Sequence, residues 1–262
     1  MTVKFASIRK PALLTPPSDR MDAWMNVTER DVKIIDGGWK QTLADIMSEL
    51  KDPEKLIFNF RGSTAIYLLS CMDGLSLNPL IDPTAKDVMM LQLEDSRRKS
   101  KWLSVGLMTH HLQKLGIDVK MTNEEVEGMA KEIPGKRALD DGITIPRFDD
   151  GFALLRLYGL LRVYGSPREV EQQDEKIIDK YLNNLREHDI RGNMAEAWYW
   201  VGKAEIKRAI TKEDVECIRE SVEKARKEEH GHDLANRLYY ASLVLPKKNE
   251  RIDEIPPLKK LN

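Results

Sequence analysis

The chain has 262 residues, and its 42 Lys and Arg residues nearly balance its 43 Asp and Glu residues, which leaves a formal net charge of −1. A chain of this length can bury a core without disulfides or metal, and its near-neutral charge argues against simple polycation behaviour towards nucleic acid or anionic membranes. Cys71 and Cys217 lie far apart without a partner motif, which suits a reducing compartment. No secretory pattern or membrane-spanning apolar run occurs, so we expect an intracellular, cytoplasmic protein.

Extended arms are predicted at both ends of the chain. Residues 1–20 and residues 246–262 each contain three prolines and only sparse apolar residues. Proline disfavours helix, and sparse apolar side chains cannot form a core on their own. We therefore expect the folded part of the protein to lie between these two arms.

Helical periodicity dominates between the arms, because apolar residues recur at spacings of three and four and strand-like alternation is scarce. The first helix is expected to set Leu43, Ile46, Met47 and Leu50 on one face and to end at Pro53. In chain order, helices are predicted within residues 38–55, 83–117, 122–135, 166–189 and 211–231. No internal repeat is evident in this pattern.

Capping signals set the expected helix ends. Thr122 and Glu125 have the spacing of a capping box, and Ser166 and Thr211 occupy N-cap positions, the first of them directly before Pro167. Glycine and proline are typical of the residues that follow a helix. Helix ends are therefore expected at Gly116, at Pro134 with Gly135, and at Gly231.

The segment "LIFNF", residues 56–60, fits a short strand or a buried helix, while the following "TAIYLLSCM" fits a buried helix. Residues 134–142 are polar and rich in helix breakers, which favours a domain boundary there. The sequence therefore predicts a mainly α fold with two helical lobes and terminal arms. The expected divisions are an N-terminal arm 1–20, an N-terminal lobe 21–135, a C-terminal lobe 136–245 and a C-terminal arm 246–262.

No recognised catalytic motif is present, so we expect a protein without enzymatic activity, cofactor or metal. His110 and His111 are adjacent on a helix, where their side chains diverge and cannot easily share an ion. His230 and His232 stand among acids at a helix end, which is typical of an exposed terminus. Two acid pairs, Asp140 with Asp141 and Asp149 with Asp150, have the composition of a divalent-cation site, but the second pair also suits a helix N-terminus.

Positive charge is concentrated between residues 97 and 208. Cations hold phosphates and aromatic rings stack on splayed bases, so mixed basic and aromatic clusters are typical of proteins that bind single-stranded nucleic acid. Solvated basic faces and buried aromatics are the structural alternative. The candidate phosphate-binding residues are Arg97, Arg98, Lys99, Lys101, Lys136, Arg137, Arg147, Arg162, Arg168, Lys203, Lys207 and Arg208, and the candidate stacking residues are Trp102 and Tyr164.

Arginines also occur inside an apolar helix. Residues 152–164 are apolar nearly all round, yet Arg156 and Arg162 lie within them, about 120° apart on the helix. A buried guanidinium needs an anionic partner. Asp149, seven residues before Arg156, is the expected partner of Arg156, whereas Arg162 is left to pair with an acid of another helix or with a phosphate.

The stretch Ile143-Thr144-Ile145-Pro146-Arg147-Phe148 resembles a motif in nucleoproteins of segmented negative-strand RNA viruses of the bunyavirus type. That motif runs apolar, Thr, apolar, any residue, Arg, apolar, and it leads into a core helix beside the RNA groove. The resemblance implies a helical, two-lobed protein that holds RNA between its lobes and polymerises by laying a terminal arm on a neighbour. It also implies that Arg147 lies in the groove.

Our leading hypothesis is a non-enzymatic, self-assembling protein that binds single-stranded RNA without sequence specificity, in the manner of a viral nucleoprotein, and would then occur in the virion. The alternative is a matrix-like or scaffold protein that oligomerises through its arms without RNA, which explains the neutral charge better. A third hypothesis is a helical enzyme that uses the carboxylates near residues 136–150.

Overall fold

The computed structural model describes residues 25–49, 61–137, 150–188 and 193–245. These residues form ten α-helices and no strand, which confirms the prediction of a mainly α fold. The predicted arms and the segment 56–60 lie outside the described residues. The helices are α1 (Glu29–Glu49), α2 (Arg61–Gly74), α3 (Pro83–Arg98), α4 (Trp102–Lys114), α5 (Asn123–Arg137), α6 (Asp150–Val163), α7 (Gln172–His188), α8 (Met194–Lys203), α9 (Lys212–Glu228) and α10 (Gly231–Val244).

Inner and outer helices alternate along the chain. The even-numbered helices α2, α4, α6, α8 and α10 are apolar on almost every side, and α8 buries every residue from Met194 to Val201. The odd-numbered helices are amphipathic, as in α9, where charged residues cover one face and Ile218 and Val222 the other. Burial all round places a helix inside the protein, so the even-numbered helices form the centre and the odd-numbered helices cover it.

The inner helices form a closed ring. They contact one another in the order α2, α4, α6, α8 and α10, and α10 contacts α2. Each outer helix packs against the two inner helices next to it in the chain, and α1 joins the two ends by packing against both α2 and α10. Buried side chains from all ten helices form one hydrophobic core. The predicted division into two lobes stays a prediction, because most of its boundary lies outside the described residues.

A structural repeat links the inner helices to the outer ones, although no repeat is evident in the sequence. Connections of equal length, residues 75–82, 115–122, 164–171 and 204–211, follow α2, α4, α6 and α8. The second residue of each has a positive φ, at 59° for Ser76, 71° for Gly116, 76° for Gly165 and 55° for Glu205. The next N–H returns to a carbonyl of the last helical turn in every case, as in a Schellman motif.

Three predicted helix ends are wrong. Ser166 does not cap a helix, because it lies within the connection 164–171 and α7 begins at Gln172. Helix α5 continues through Pro134 to Arg137, since a proline so near the end disturbs only its final turns. Gly231 does not follow α9, which already ends before the left-handed residue Glu229, and it is instead the first residue of α10.

The capping box predicted at Thr122 and the N-cap predicted at Thr211 are confirmed, and acids of such boxes bind arginines of neighbouring helices. Thr122 with Glu125 and Thr211 with Asp214 cap α5 and α9, and Thr28 with Asp31 caps α1. Each acid also accepts a hydrogen bond from an arginine near the C-terminal end of the neighbouring outer helix, which for α5 is α3, for α9 is α7 and for α1 is α9. The pairs are Arg97 with Glu125 at 2.7 Å, Arg186 with Asp214 at 2.7 Å and Arg226 with Asp31 at 2.9 Å.

Candidate nucleic-acid interface

A surface cavity of about 190 Å³ opens between α2, α3 and α4. Ser63 and Tyr67 of α2, Gln92 of α3, Ser104 of α4 and Lys101 line it with polar groups. Leu107 and Met108 supply an apolar part of its wall. We call this cavity the α2–α4 pocket; it combines a cation, hydroxyl and amide groups and an aromatic ring.

The break between α3 and α4 places Lys101 at the α2–α4 pocket. Ser100 has a φ of 51°, which stops the helix, and the N–H groups of Lys99 and Lys101 return to carbonyls of Asp95 and Ser96. Lys101 then occupies the N-cap position of α4. A continuous helix through residues 83–117, as the periodicity suggests, would carry Lys101 elsewhere, so the turn is essential to the pocket.

Basic side chains lie beside the α2–α4 pocket. Arg98 and Lys99 both pair with Asp95, and the side chain of Arg98 is 76% exposed. The hydrogen bond from Lys99, followed by that from Arg98, lowers the pKa of Asp95. The first turns of α2 and α4 both reach the pocket, through Ser63 and Ser104. A helix N-terminus carries partial positive charge, but at α4 the N–H of Leu103 already donates to Glu132 of α5 at 3.2 Å.

Several predicted phosphate ligands are already paired with carboxylates. Arg97 binds Glu125, Glu94 and the carbonyl of Lys120, which makes it part of the contact between α3 and α5. Arg162 binds Glu205 at 2.8 Å, which identifies the acid of another segment that the sequence left open. Arg208 binds Asp179 at 3.0 Å. Their role in binding phosphate stays a prediction, and each would have to exchange an existing partner for RNA.

The remaining predicted residues are dispersed. Arg168 and Lys207 are exposed on the connections 164–171 and 204–211. The sequence predicted Arg168 in the first turn of a helix, and the structure places it before that helix begins. Lys203 ends α8, with Nζ 5.6 Å from the Tyr199 ring centroid. Lys136 lies in the last turn of α5, Arg137 ends that helix, and Arg147 lies outside the described residues, as does the motif 143–148.

The two predicted stacking residues take part in helix packing. The ring of Trp102 lies against Gly128 of α5, so close that a Cβ on Gly128 would stand 2.5 Å from it. The hydroxyl of Tyr164 donates to the carbonyl of Gly106 at 3.3 Å. Both side chains are half-buried. Tyr67, which the sequence analysis did not single out, is the aromatic side chain that lines the α2–α4 pocket.

The inner ring encloses a cluster of ionisable and aromatic side chains. Arg156 donates to Glu196 through Nη2 at 2.6 Å and through Nε at 3.1 Å, and Trp200 donates to the same carboxylate oxygen. Asp149, the expected partner of Arg156, lies outside the described residues. The requirement for an anion was inferred correctly, and Glu196 of α8 meets it.

Two buried histidines occupy the same cluster. His111 shares a hydrogen bond with the hydroxyl of Ser70 at 2.8 Å and lies 4.3 Å from the ring of Tyr67. His110 shares one with the hydroxyl of Tyr199 at 3.1 Å. Burial, reinforced by the charge of Lys114, lowers the pKa of His110 to about 3 and that of His111 well below its usual value. Both imidazoles are therefore neutral near pH 7.

We expect these histidines to make the fold sensitive to acid. The folded pKa lies below the unfolded value near 6.5, so below pH 6.5 the unfolded chain binds the extra protons and the folded state loses stability. The loss approaches about 1.4 kcal/mol per pH unit for each histidine. Urea unfolding of the wild type and of His110→Gln between pH 7 and 5 measures it, and the variant should show the shallower pH dependence. Equal slopes would contradict a buried neutral His110.

No group of three or more His, Cys, Asp or Glu residues within the described parts of the chain is arranged to hold a metal ion. The nitrogens of His230 and His232 lie 3.6–3.8 Å from carboxylates of Glu228 and Asp233. Asp150 is buried at the start of α6, while Asp140, Asp141 and Asp149 lie outside the described residues. Among the helices described, none has both the length and the apolar character to cross a membrane.

Apart from Lys101, the polar residues of the α2–α4 pocket were missed in the sequence. They are dispersed over three helices and show no motif spacing. The available signal is that Ser63 and Ser104 interrupt otherwise apolar inner helices near their first turns. That signal identifies polar positions but does not bring the two helices together.

Comparison of the chain with protein-family models, with curated proteins and with solved structures finds no match. Inference about function therefore depends on the chemistry of the side chains described above.

Proposed function

We propose that the protein is a non-enzymatic, self-assembling protein that binds single-stranded RNA without sequence specificity. The observation that carries this proposal is the α2–α4 pocket, where Lys101 and Tyr67 line one cavity together with Ser63, Ser104 and Gln92. Single-stranded nucleic acid presents phosphates, ribose hydroxyls and bases, which such groups recognise.

The charge around the α2–α4 pocket supports phosphate binding. Arg98, Lys99 and Lys101 lie within one short segment, and Asp95 is the carboxylate that pairs with the first two. RNA phosphates release counterions when cations neutralise them, so locally clustered cations that exchange their present partners for phosphate are sufficient even in a neutral protein. The arms 1–20 and 246–262 would link neighbouring copies.

Replacement of Lys101 by Ala is expected to weaken RNA binding and to reduce the slope of log affinity against log salt by about one. Fluorescence polarisation with a labelled oligouridine of about ten nucleotides, repeated at several salt concentrations, measures both quantities. Lys224→Ala, an exposed lysine on α9, is the matched control and should leave both unchanged. Salt-insensitive binding, or equal losses in the two variants, would contradict the proposal.

The alternative is a scaffold protein that assembles without RNA. The ion pairing of Arg97, Arg162 and Arg208 favours it, because these guanidinium groups already have carboxylate partners. The two functions differ in one direct observation. A nucleoprotein purified under mild salt carries RNA and shows a high ratio of absorbance at 260 nm to 280 nm, whereas a scaffold assembles with the low ratio of pure protein.

A further inference from the structure

Three neutral polar side chains face the α2–α4 pocket without a partner in the protein. Gln92 and Ser96 of α3 and Ser104 of α4 line the cavity, and no hydrogen bond within the described residues involves their side chains. Ser63 and Lys101 also line it but have further interactions in the chain, so they do not carry the inference. The amide and the two hydroxyls can each donate and accept, and they are available to a ligand in the cavity.

A close crossing of α2 and α3 holds Gln92 in place. A Cβ built on Gly62 would stand 2.6 Å from Cβ of Gln92 and 2.9 Å from the carbonyl oxygen of Val88. Because Gly62 has no side chain, α3 approaches the first turn of α2, and the stem of Gln92 packs there. Ser96 lies one turn further along the same face of α3. Two helices therefore fix this wall of the pocket, which lowers the entropy cost of ordering it around a ligand.

The chemistry of the lining favours a sugar over a phosphate. Lys101 is the single charged side chain among the described lining residues, and the other polar ones are neutral. Oxygens of a phosphodiester only accept hydrogen bonds, so they would leave the carbonyl oxygen of Gln92 without a donor. A ribose hydroxyl both donates and accepts. Leu107 and Met108 supply apolar surface for the C–H groups of a sugar ring.

The size of the cavity agrees with a single sugar ring. Its volume is about 190 Å³, whereas pockets for drug-sized ligands measure about 300–1,000 Å³. A complete nucleotide would therefore exceed it. A base would bring donors and acceptors that differ from one nucleotide to the next, but the ribose is common to all of them. Binding of the ribose is thus compatible with RNA binding that ignores sequence.

We propose that the α2–α4 pocket binds a ribose of single-stranded RNA and recognises its 2′-hydroxyl, so that the protein distinguishes RNA from DNA. This inference rests on the proposed function and adds a specificity to the same pocket. Gln92 and Ser104 bond to the sugar hydroxyls from α3 and α4, while Lys101, at the N-cap of α4, contacts the adjoining phosphate. Deoxyribose lacks the 2′-hydroxyl and leaves these groups unpaired.

Fluorescence polarisation of the full-length protein with three labelled oligonucleotides of equal length tests the pocket. They are oligouridine, oligodeoxyuridine and 2′-fluoro-oligouridine, which keeps the sugar conformation of RNA but cannot donate from the 2′ position. The wild type should bind RNA about tenfold more tightly than either analogue. Gln92→Leu and Ser104→Ala should lower the affinity for RNA towards that for DNA and leave the affinity for DNA unchanged.

Two further variants separate the sugar from the phosphate. Gln172→Leu replaces an exposed glutamine at the start of α7 and should keep the full preference for RNA. Lys101→Ala should weaken the binding of RNA and DNA by the same factor, because the phosphate is common to both. The ratio of the two affinities therefore reports on the ribose, and their absolute values report on the charge.

Each outcome has a distinct meaning. Equal wild-type affinity for RNA and DNA, with the salt dependence still lowered in Lys101→Ala, would overturn the ribose assignment and leave the proposed function standing. Absence of binding to either nucleic acid would overturn both. A preference that persists in Gln92→Leu and Ser104→Ala would also overturn the assignment. If Gln92→Leu instead alters the relative affinity for oligouridine and oligoadenosine, the pocket holds a base. Circular dichroism checks folding, and the exposed Ser104 carries the test if Gln92→Leu is unfolded.

Discussion

Replacement of Glu196 by Gln is expected to lower the free energy of unfolding by about 3 kcal/mol. Glu196 is almost completely buried, and one of its oxygens accepts from Arg156 and from the indole N–H of Trp200. Glutamine keeps the size of the side chain but removes the charge that Arg156 requires. Breaking a buried pair by removing one partner costs about 3–5 kcal/mol, because the remaining charge is left uncompensated.

The lower end of that range is expected because Arg156 is not fully buried. Its side chain keeps 21% exposure, so water screens part of the charge. The guanidinium also lies 3.7 Å from the ring centroid of Phe152, and this contact survives the substitution. The interaction of α6 with α8 is therefore weakened rather than abolished, and the protein should fold with reduced stability.

Urea unfolding with a matched control separates burial from pairing. Glu94→Gln removes a carboxylate that binds Arg97 at 2.8 Å but is 61% exposed, so a change of at most about 0.5 kcal/mol is expected. The double variant Arg156→Met with Glu196→Gln removes both charges and should recover much of the stability. If Glu196→Gln and Glu94→Gln are equally mild, the pair between α6 and α8 is not important for the fold.

Local signals in the sequence explain which parts of this fold were predicted. The apolar periodicity identified a helical protein, and the capping box at Thr122 and the N-cap at Thr211 were recognised because such signals lie within one helical turn. Glu196 could not be identified as the partner of Arg156, because the two are 40 residues apart and meet only when α6 packs on α8. The sequence indicated the requirement for an acid but not its position.

The structural repeat shows why pattern alone was insufficient. The left-handed positions of the four connections hold Ser76, Gly116, Gly165 and Glu205, so no residue type marks them consistently. Their spacing along the chain is also unequal, because the segment 138–149 between α5 and α6 is longer than the segments 99–101 and 189–193, which join α3 to α4 and α7 to α8. Glycine costs least at a positive φ, but serine and glutamate also adopt it when packing of the flanking helices compensates.

The role of Gly231 was also beyond local reasoning. A glycine after a helical pattern is typical of a helix end, yet Gly231 begins α10 where that helix crosses α1. A Cβ at Gly231 would lie 2.3 Å from the carbonyl oxygen of Ile34 and 3.0 Å from the Cα of Gly38. Absence of a side chain, rather than an unusual φ, is what this position requires.

Gly231→Ala is therefore expected to destabilise the protein by about 3 kcal/mol, the upper part of the range for overpacking. The atoms that the added methyl group would meet belong to the backbone of α1, so no side chain can move aside. Helix α1 would have to shift away from α10, which would strain the contact that closes the ring between the first and last helices. Thermal or urea unfolding of the full-length protein measures the effect.

Gly37→Ala is the matched control, and its effect should have the opposite sign. Gly37 lies in the interior of α1 beside Gly38, and no atom lies within 4 Å of a Cβ built there. Alanine in such a position should stabilise the helix by about 0.5–1 kcal/mol, because glycine loses more backbone entropy on folding. If both substitutions stabilise, α1 and α10 do not cross as closely as the Gly38–Gly231 contact requires. If both destabilise, the space around Gly37 is not as open as described. Opposite effects of the two substitutions on the free energy of unfolding would therefore support the close crossing of α1 and α10.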